Sequence, residues 1–143
     1  MTADTTLDRI GDDSTTVLTY ATTRVPQAHP DDTMADILRQ LSHGGPYDSM
    51  TDVAVIETGR LIGMIAIEQL FTTSPDTPAS VIMNHNPPVI GPGADQESAA
   101  AKATSHEESC LGVVDINGTF LGLIPPNRIL GVLPEERRED MAV

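Results

Sequence analysis

Apolar positions along the chain recur at two spacings. Met34, Ile37, Leu38 and Leu41 stand three and four residues apart, the signature of one buried helical face. Asp31-Asp32-Thr33 supplies an N-cap for that helix, and Gly44-Gly45-Pro46 closes it. Val53–Ile56 and Leu61–Ile67 are short unbroken apolar runs parted by Glu57-Thr58-Gly59-Arg60, which predicts a buried hairpin followed by a short helix through Gln69 to Phe71. Ahead of them, Arg24–Ala28 suits an edge strand, since Pro26 has no N–H to give to a central ladder. Residues 1–23 are rich in Thr and Asp and keep no period, so they read as a flexible acidic N-terminal tail, docked at most loosely near Val17 to Tyr20.

The same pattern occurs twice. Gly59-Arg-Leu-Ile-Gly63-Met-Ile returns as Gly118-Thr-Phe-Leu-Gly122-Leu-Ile, both glycines displaced by 59 positions. Pro26-x3-Pro30 returns as Pro88-x3-Pro92 at a displacement of 62, and a longer connection around His43 to Asp52 in the first copy absorbs the difference. The second copy is expected to have a strand at Pro88–Ile90, a helix from near Asp95 through Ala103, and hairpin strands at Leu111–Asp115 and Phe120–Ile124. Ser74-Pro-Asp-Thr-Pro78 caps a linker helix ending at Met83. The fold class is therefore α+β, two βαββα units of about 60 residues over 24–83 and 84–143. Neither is large enough to bury much surface alone, so the copies should pack sheet to sheet about a pseudo-twofold axis, with ligand clefts at their junction.

Charge narrows the function. Twenty-one acidic residues face eight basic ones, a net charge of -13, which disfavours nucleic acid and anionic membrane surfaces as partners. The longest apolar stretch, Leu61 to Ile67, is far shorter than the roughly 18 residues a spanning helix needs, so no direct membrane insertion is expected. No secretory signal opens the chain, and its single cysteine, Cys110, fits a reducing cytoplasm.

Val53-Ala-Val-Ile-Glu-Thr-Gly-Arg-Leu-Ile-Gly-Met-Ile, its partner from Val113 to Ile124, and the linker Ser74–Met83 resemble a tandem pair of cystathionine β-synthase (CBS) domains over residues 24 to about 134. Ala94-Asp-Gln-Glu-Ser-Ala99, the linker and the closing Glu135–Met141 are similar to the cytosolic CBS pair of MgtE-type magnesium transporters. The resemblance implies a regulatory module with no catalysis of its own. It also implies a homodimer, a membrane transporter domain as partner, and an adenosine nucleotide or magnesium ion as regulatory ligand; no cofactor is certain.

The family's nucleotide signature is Gly, two apolar residues, Ser or Thr, two variable residues and Asp. Here it reads Gly63-Met-Ile65-Ala66-Ile-Glu-Gln69 and Gly122-Leu-Ile124-Pro125-Pro-Asn-Arg128. Ala66 and Pro125 lack the hydroxyl, and Gln69 and Arg128 replace the ribose carboxylate. Each lost charge-assisted bond is worth roughly 1.5–3 kcal/mol, so ribose binding should weaken at least tenfold. Pro126 suits the start of the last helix, leaving Arg128 solvated there or, as the other reading, facing a phosphate. The degenerate sites favour a second function, a ligand-independent dimerisation scaffold. For magnesium, the positions the family uses hold Asn127, Arg128, Gly131 and Pro134, while Glu135, Glu136, Glu139 and Asp140 follow as weak candidate ligands or as an exposed helix end.

No catalytic set emerges. His29, His43, His85 and His106 are scattered without zinc spacing, Cys110 starts an apolar strand as an inert core thiol, and Gly91-Pro-Gly93 lacks the Lys and Ser/Thr of a phosphate loop.

Overall fold

The computed structural model describes residues 16–105, 110–126 and 128. Its elements are β1 (Gln27–Ala28), α1 (Met34–His43), β2 (Asp52–Glu57), β3 (Arg60–Ala66), α2 (Gln69–Thr72), α3 (Ala79–Ile82), β4 (Val89–Ile90), α4 (Gln96–Ser105), β5 (Leu111–Val114) and β6 (Phe120–Ile124). They form two three-stranded sheets, β1-β2-β3 and β4-β5-β6, each with a parallel first pair and an antiparallel hairpin. The registers match strand for strand. Gln27 lies beside Ala54 and Val89 beside Gly112, while Val55 faces Gly63 and Val113 faces Gly122.

Local chemistry explains the elements. Thr33 caps α1 by accepting from the Asp36 N–H, and the Asp36 carboxylate accepts in return from the Thr33 N–H. That places Met34 and Ile37 fully inside the first repeat. α4 has a weaker apolar face, with Ala99 buried, and gains from an alanine-rich sequence and from Asp95 accepting the Ser98 N–H at 2.8 Å. The first hairpin turns on Thr58 and Gly59, both at positive φ, as a two-residue turn of this hand demands.

Each repeat has its own apolar cluster. Met34, Ile37, Val53, Val55, Ile65 and Leu70 anchor the first; Ala99, Leu111, Val113 and Ile124 anchor the second. A third cluster joins them, with Val25, Ala54 and Met64 from one repeat meeting Cys110 and Leu123 from the other. Two backbone bonds cross the same junction, Leu61 N–H to Gly118 O at 3.2 Å and Phe120 N–H to Gly59 O at 2.8 Å. Leu61 and Phe120 are repeat equivalents, as are Gly59 and Gly118, so each bond is the twofold image of the other.

The reading of residues 1–23 as a flexible tail fails for its described end. Residues 17–20 form a 3₁₀ turn whose Val17 is 1% exposed within the second repeat's core, and Val17 N–H donates to Ala94 O at 3.1 Å. Thr22 then pairs with Leu123 of β6, as Asn84 pairs with Met64 of β3. The leading segment thus does for repeat 2 what the linker after α2 does for repeat 1. A single buried valine among Thr and Asp leaves no periodic trace, which is why the sequence conceals the docking.

Candidate functional site

Gly63, Ile65 and Ala66 end β3, and Gln69 opens α2. Ile65 is fully buried. A side chain at Gly63 would run into Met83 Sδ and Asn84 O, so the glycine lets the linker cross closely behind β3. Gln69 turns inward on its own chain, its Oε1 accepting the Ala66 N–H at 3.0 Å. The amide oxygen at the position of the family's ribose carboxylate is therefore engaged by backbone.

In the second repeat, Gly122 and Ile124 end β6 and Pro125 follows; Ile124 and Pro125 are buried. Gly122 has φ +148, and a Cβ there would lie 3.0 Å from Thr22 O and 3.1 Å from Ala21 Cβ. Arg128 is not a freely solvated side chain. Its Nη1 donates to Tyr20 O at 3.1 Å, and its Nη2 lies 3.6 Å from Asp48 Oδ2.

Asp48 gathers this site. Arg24 donates Nη2 to its Oδ1 at 2.9 Å and Nε to its Oδ2 at 3.4 Å, Thr22 donates its hydroxyl to Oδ2 at 2.5 Å, and the Asp48 N–H returns a bond to Arg24 O at 2.7 Å. Hydrogen bonds from Arg24 and Thr22, with the nearby guanidinium charges, hold its carboxyl down at about 2, so it is ionised throughout the neutral range. Thr22, Arg24 and Asp48 are the functional candidates that motif matching passed over. They belong to no signature, although Asp48 sits in the longer connection that distinguishes the first copy.

A buried polar pair marks the junction itself. Asp52 and Cys110 hold equivalent places, each just before the strand residue that pairs with Ile65 or Ile124. Cys110 N–H donates to Asp52 Oδ2 at 2.9 Å, and Thr51 Oγ1 lies 3.2 Å from Cys110 Sγ. Burial pushes the thiol up to about 12, and the neighbouring Asp52 adds to the rise, which removes any nucleophilic role at neutral pH. Burial likewise raises the Asp52 carboxyl above its ordinary 3.8, with Glu68 adding a like charge, against the opposing bonds from Cys110 and Thr51. The folded chain thus holds this proton more tightly than the unfolded one, and stability falls as pH rises from 3.8 through the folded value. Asp52→Asn keeps an acceptor for Cys110 N–H without the charge. It is expected to raise stability near neutral pH, with the gain vanishing near pH 3, as thermal melts at both pH values would show.

Among the described residues, no three His, Cys, Asp or Glu side chains gather as a metal set. The candidate ligands Glu135, Glu136, Glu139 and Asp140 lie outside the described residues. Also among the described residues, no helix is long and apolar enough to cross a membrane.

This duplicated fold, with glycine-ended hairpins meeting about a twofold, matches the CBS domain at residues 17–76 and again at 76–135. The chain belongs to the CBS domain family. The matches begin at residue 17, in keeping with the burial of Val17. This CBS pair is 30% identical over 111 residues to the magnesium transporter MgtE of Thermus thermophilus, across 76% of the chain and 25% of the transporter. It therefore spans about a quarter of that relative's length. Among solved structures it resembles the cytosolic domain of the Mg2+ channel MgtE in complex with ATP, with a TM-score of 0.75 and 26% identity over 80% of this chain and 47% of that one. A cystathionine β-synthase pair domain from Shewanella oneidensis MR-1 shares the fold, with a TM-score of 0.72 and 14% identity over 96% and 81% of the two chains.

Proposed function

We propose that this CBS pair is a cytoplasmic regulatory module, without catalysis of its own, which senses a small ligand and controls a divalent-cation transport domain of the MgtE kind, acting as a homodimer. The observation that carries the reading is that the second site draws on both ends of the pair: residues 20–24 and Asp48 precede or belong to the first repeat, and Arg128 belongs to the second. A ligand seated there touches both repeats, and unequal affinity for two arrangements is what biases a partner. The likeness to a transporter domain solved with ATP makes an adenosine nucleotide the first ligand to try, and magnesium the second.

Melting curves with ATP, AMP and Mg2+ test this. A ligand at ten times its Kd adds about 1.4 kcal/mol to the unfolding free energy, a rise of several degrees. Absence of a shift with all three would leave the other reading, a ligand-independent dimerisation scaffold. That reading is favoured by one observation, the inward turn of Gln69 Oε1 onto the Ala66 N–H in the first site.

A further inference from the structure

The grouping around Asp48 has the composition of an oxyanion receptor. Two guanidinium groups and one hydroxyl converge on a single carboxylate, the donor set that also suits a phosphate group. Two of the eight basic residues of a chain with net charge -13 meet on this one acid, so the cluster is a local positive island in a negative field. The acid arrives on the connection between α1 and β2, whose extra length in the first copy allows it to reach residues 22–24 and Arg128. The other site is different. The positions equivalent to Arg24 and Arg128 are Asn86 and Gln69, which carry no charge; Gln69 Oε1 is committed to the Ala66 N–H, and the Asn86 N–H is held by Asn84 Oδ1.

We propose that Thr22, Arg24 and Arg128 form an anion site in which the Asp48 carboxylate is a built-in occupant, and that a ligand bearing two or more phosphate groups enters by displacing it. The second site alone takes such a ligand; the first, which has neither arginine, does not. Displacement frees the Asp48 carboxylate from Thr22, Arg24 and Arg128, so entry of the anion is read out as loss of the Asp48–Arg128 ion pair between the repeats. This rests on the regulatory reading above for its biological use, and on the Asp48 cluster alone for the binding.

The test is calorimetric titration of inorganic pyrophosphate, and separately of ATP and adenosine, into the parent chain, Asp48→Asn, and Asp48→Asn combined with Arg24→Gln or Arg128→Gln. Pyrophosphate is expected to bind Asp48→Asn at least tenfold more tightly than the parent, and each added arginine replacement is expected to return affinity to the parent level or below. Equal pyrophosphate affinity in the parent and a folded Asp48→Asn overturns the proposal. Should Asp48→Asn fail to fold, side-chain Nε–H resonances of Arg24 and Arg128 in the parent are followed at saturating pyrophosphate; movement of both supports the site, and no movement overturns it. Nucleotide binding that is insensitive to residue 48 and shared by adenosine would overturn the anion site while leaving the regulatory reading intact. Pyrophosphate binding without any nucleotide response supports the site and removes the nucleotide from the function. ATP binding that tracks pyrophosphate identifies the phosphates as those of a nucleotide.

Discussion

Leu123→Ala is expected to lower the unfolding free energy by about 2–5 kcal/mol, the usual range for truncating a fully enclosed leucine. Leu123 has no exposure and sits in the cluster that joins the repeats, beside Val25, Ala54, Met64 and Cys110. Neither sheet can close over the hole, because the twofold pair of hydrogen bonds from Leu61 and Phe120 holds the hairpins at fixed separation. The deletion therefore loses both transfer energy and packing. Denaturant melts followed by circular dichroism give the size of the effect. A loss below about 1 kcal/mol would mean that the junction is loosely packed and that the repeats are stabilised separately. A midpoint that falls with one cooperative transition retained is the outcome expected for repeats that share one core.

Gly122→Val is the second large effect. At φ +148 any side chain is strained, at a cost of about 1–3 kcal/mol. The new Cβ also meets Thr22 O at 3.0 Å and Ala21 Cβ at 3.1 Å, and overpacking of this sort typically adds about 1–3 kcal/mol. The combined loss is about 4 kcal/mol, with a specific structural consequence. The leading segment is pushed off β6, which breaks the Thr22–Leu123 pairing and exposes Val17. Amide hydrogen exchange checks this, with protection at Thr22 and Leu123 expected to fall before that at Val53 or Ile65. Gly59→Ala is the control, since its Cβ meets nothing within 4 Å and only the strain of φ +79 remains. If the two variants lose equal stability, the close approach at Gly122 has no energetic weight.

Much of the architecture was legible in the residue pattern. The period of three and four through Met34–Leu41 corresponds to α1, and the paired apolar runs around Gly59 and Gly118 correspond to the two hairpins. These features are visible because each depends on short-range spacing, and because duplication displays the same spacing twice. The isolated Val17 carries no such signal, yet it becomes buried once the sheets are in place; α4, whose apolar face is weak, was legible only through the duplication, and it buries Ala99. The site was half legible. Gly63, Ala66, Gln69, Gly122, Pro125 and Arg128 could be found by matching a motif, whereas Thr22, Arg24 and Asp48 could not.

From its own sequence this protein is a duplicated α+β chain with a strongly acidic charge, glycine-ended hairpins, and substitutions at both positions where a ribose carboxylate is expected. Tertiary structure alone determined what replaces that carboxylate. Gln69 reaches three residues back to its own strand, but Arg128 meets Tyr20 and Asp48, which are 108 and 80 positions away along the chain. Contacts across such distances leave no periodic mark, because they depend on where folding carries the segments and not on the spacing of residue types within any one of them.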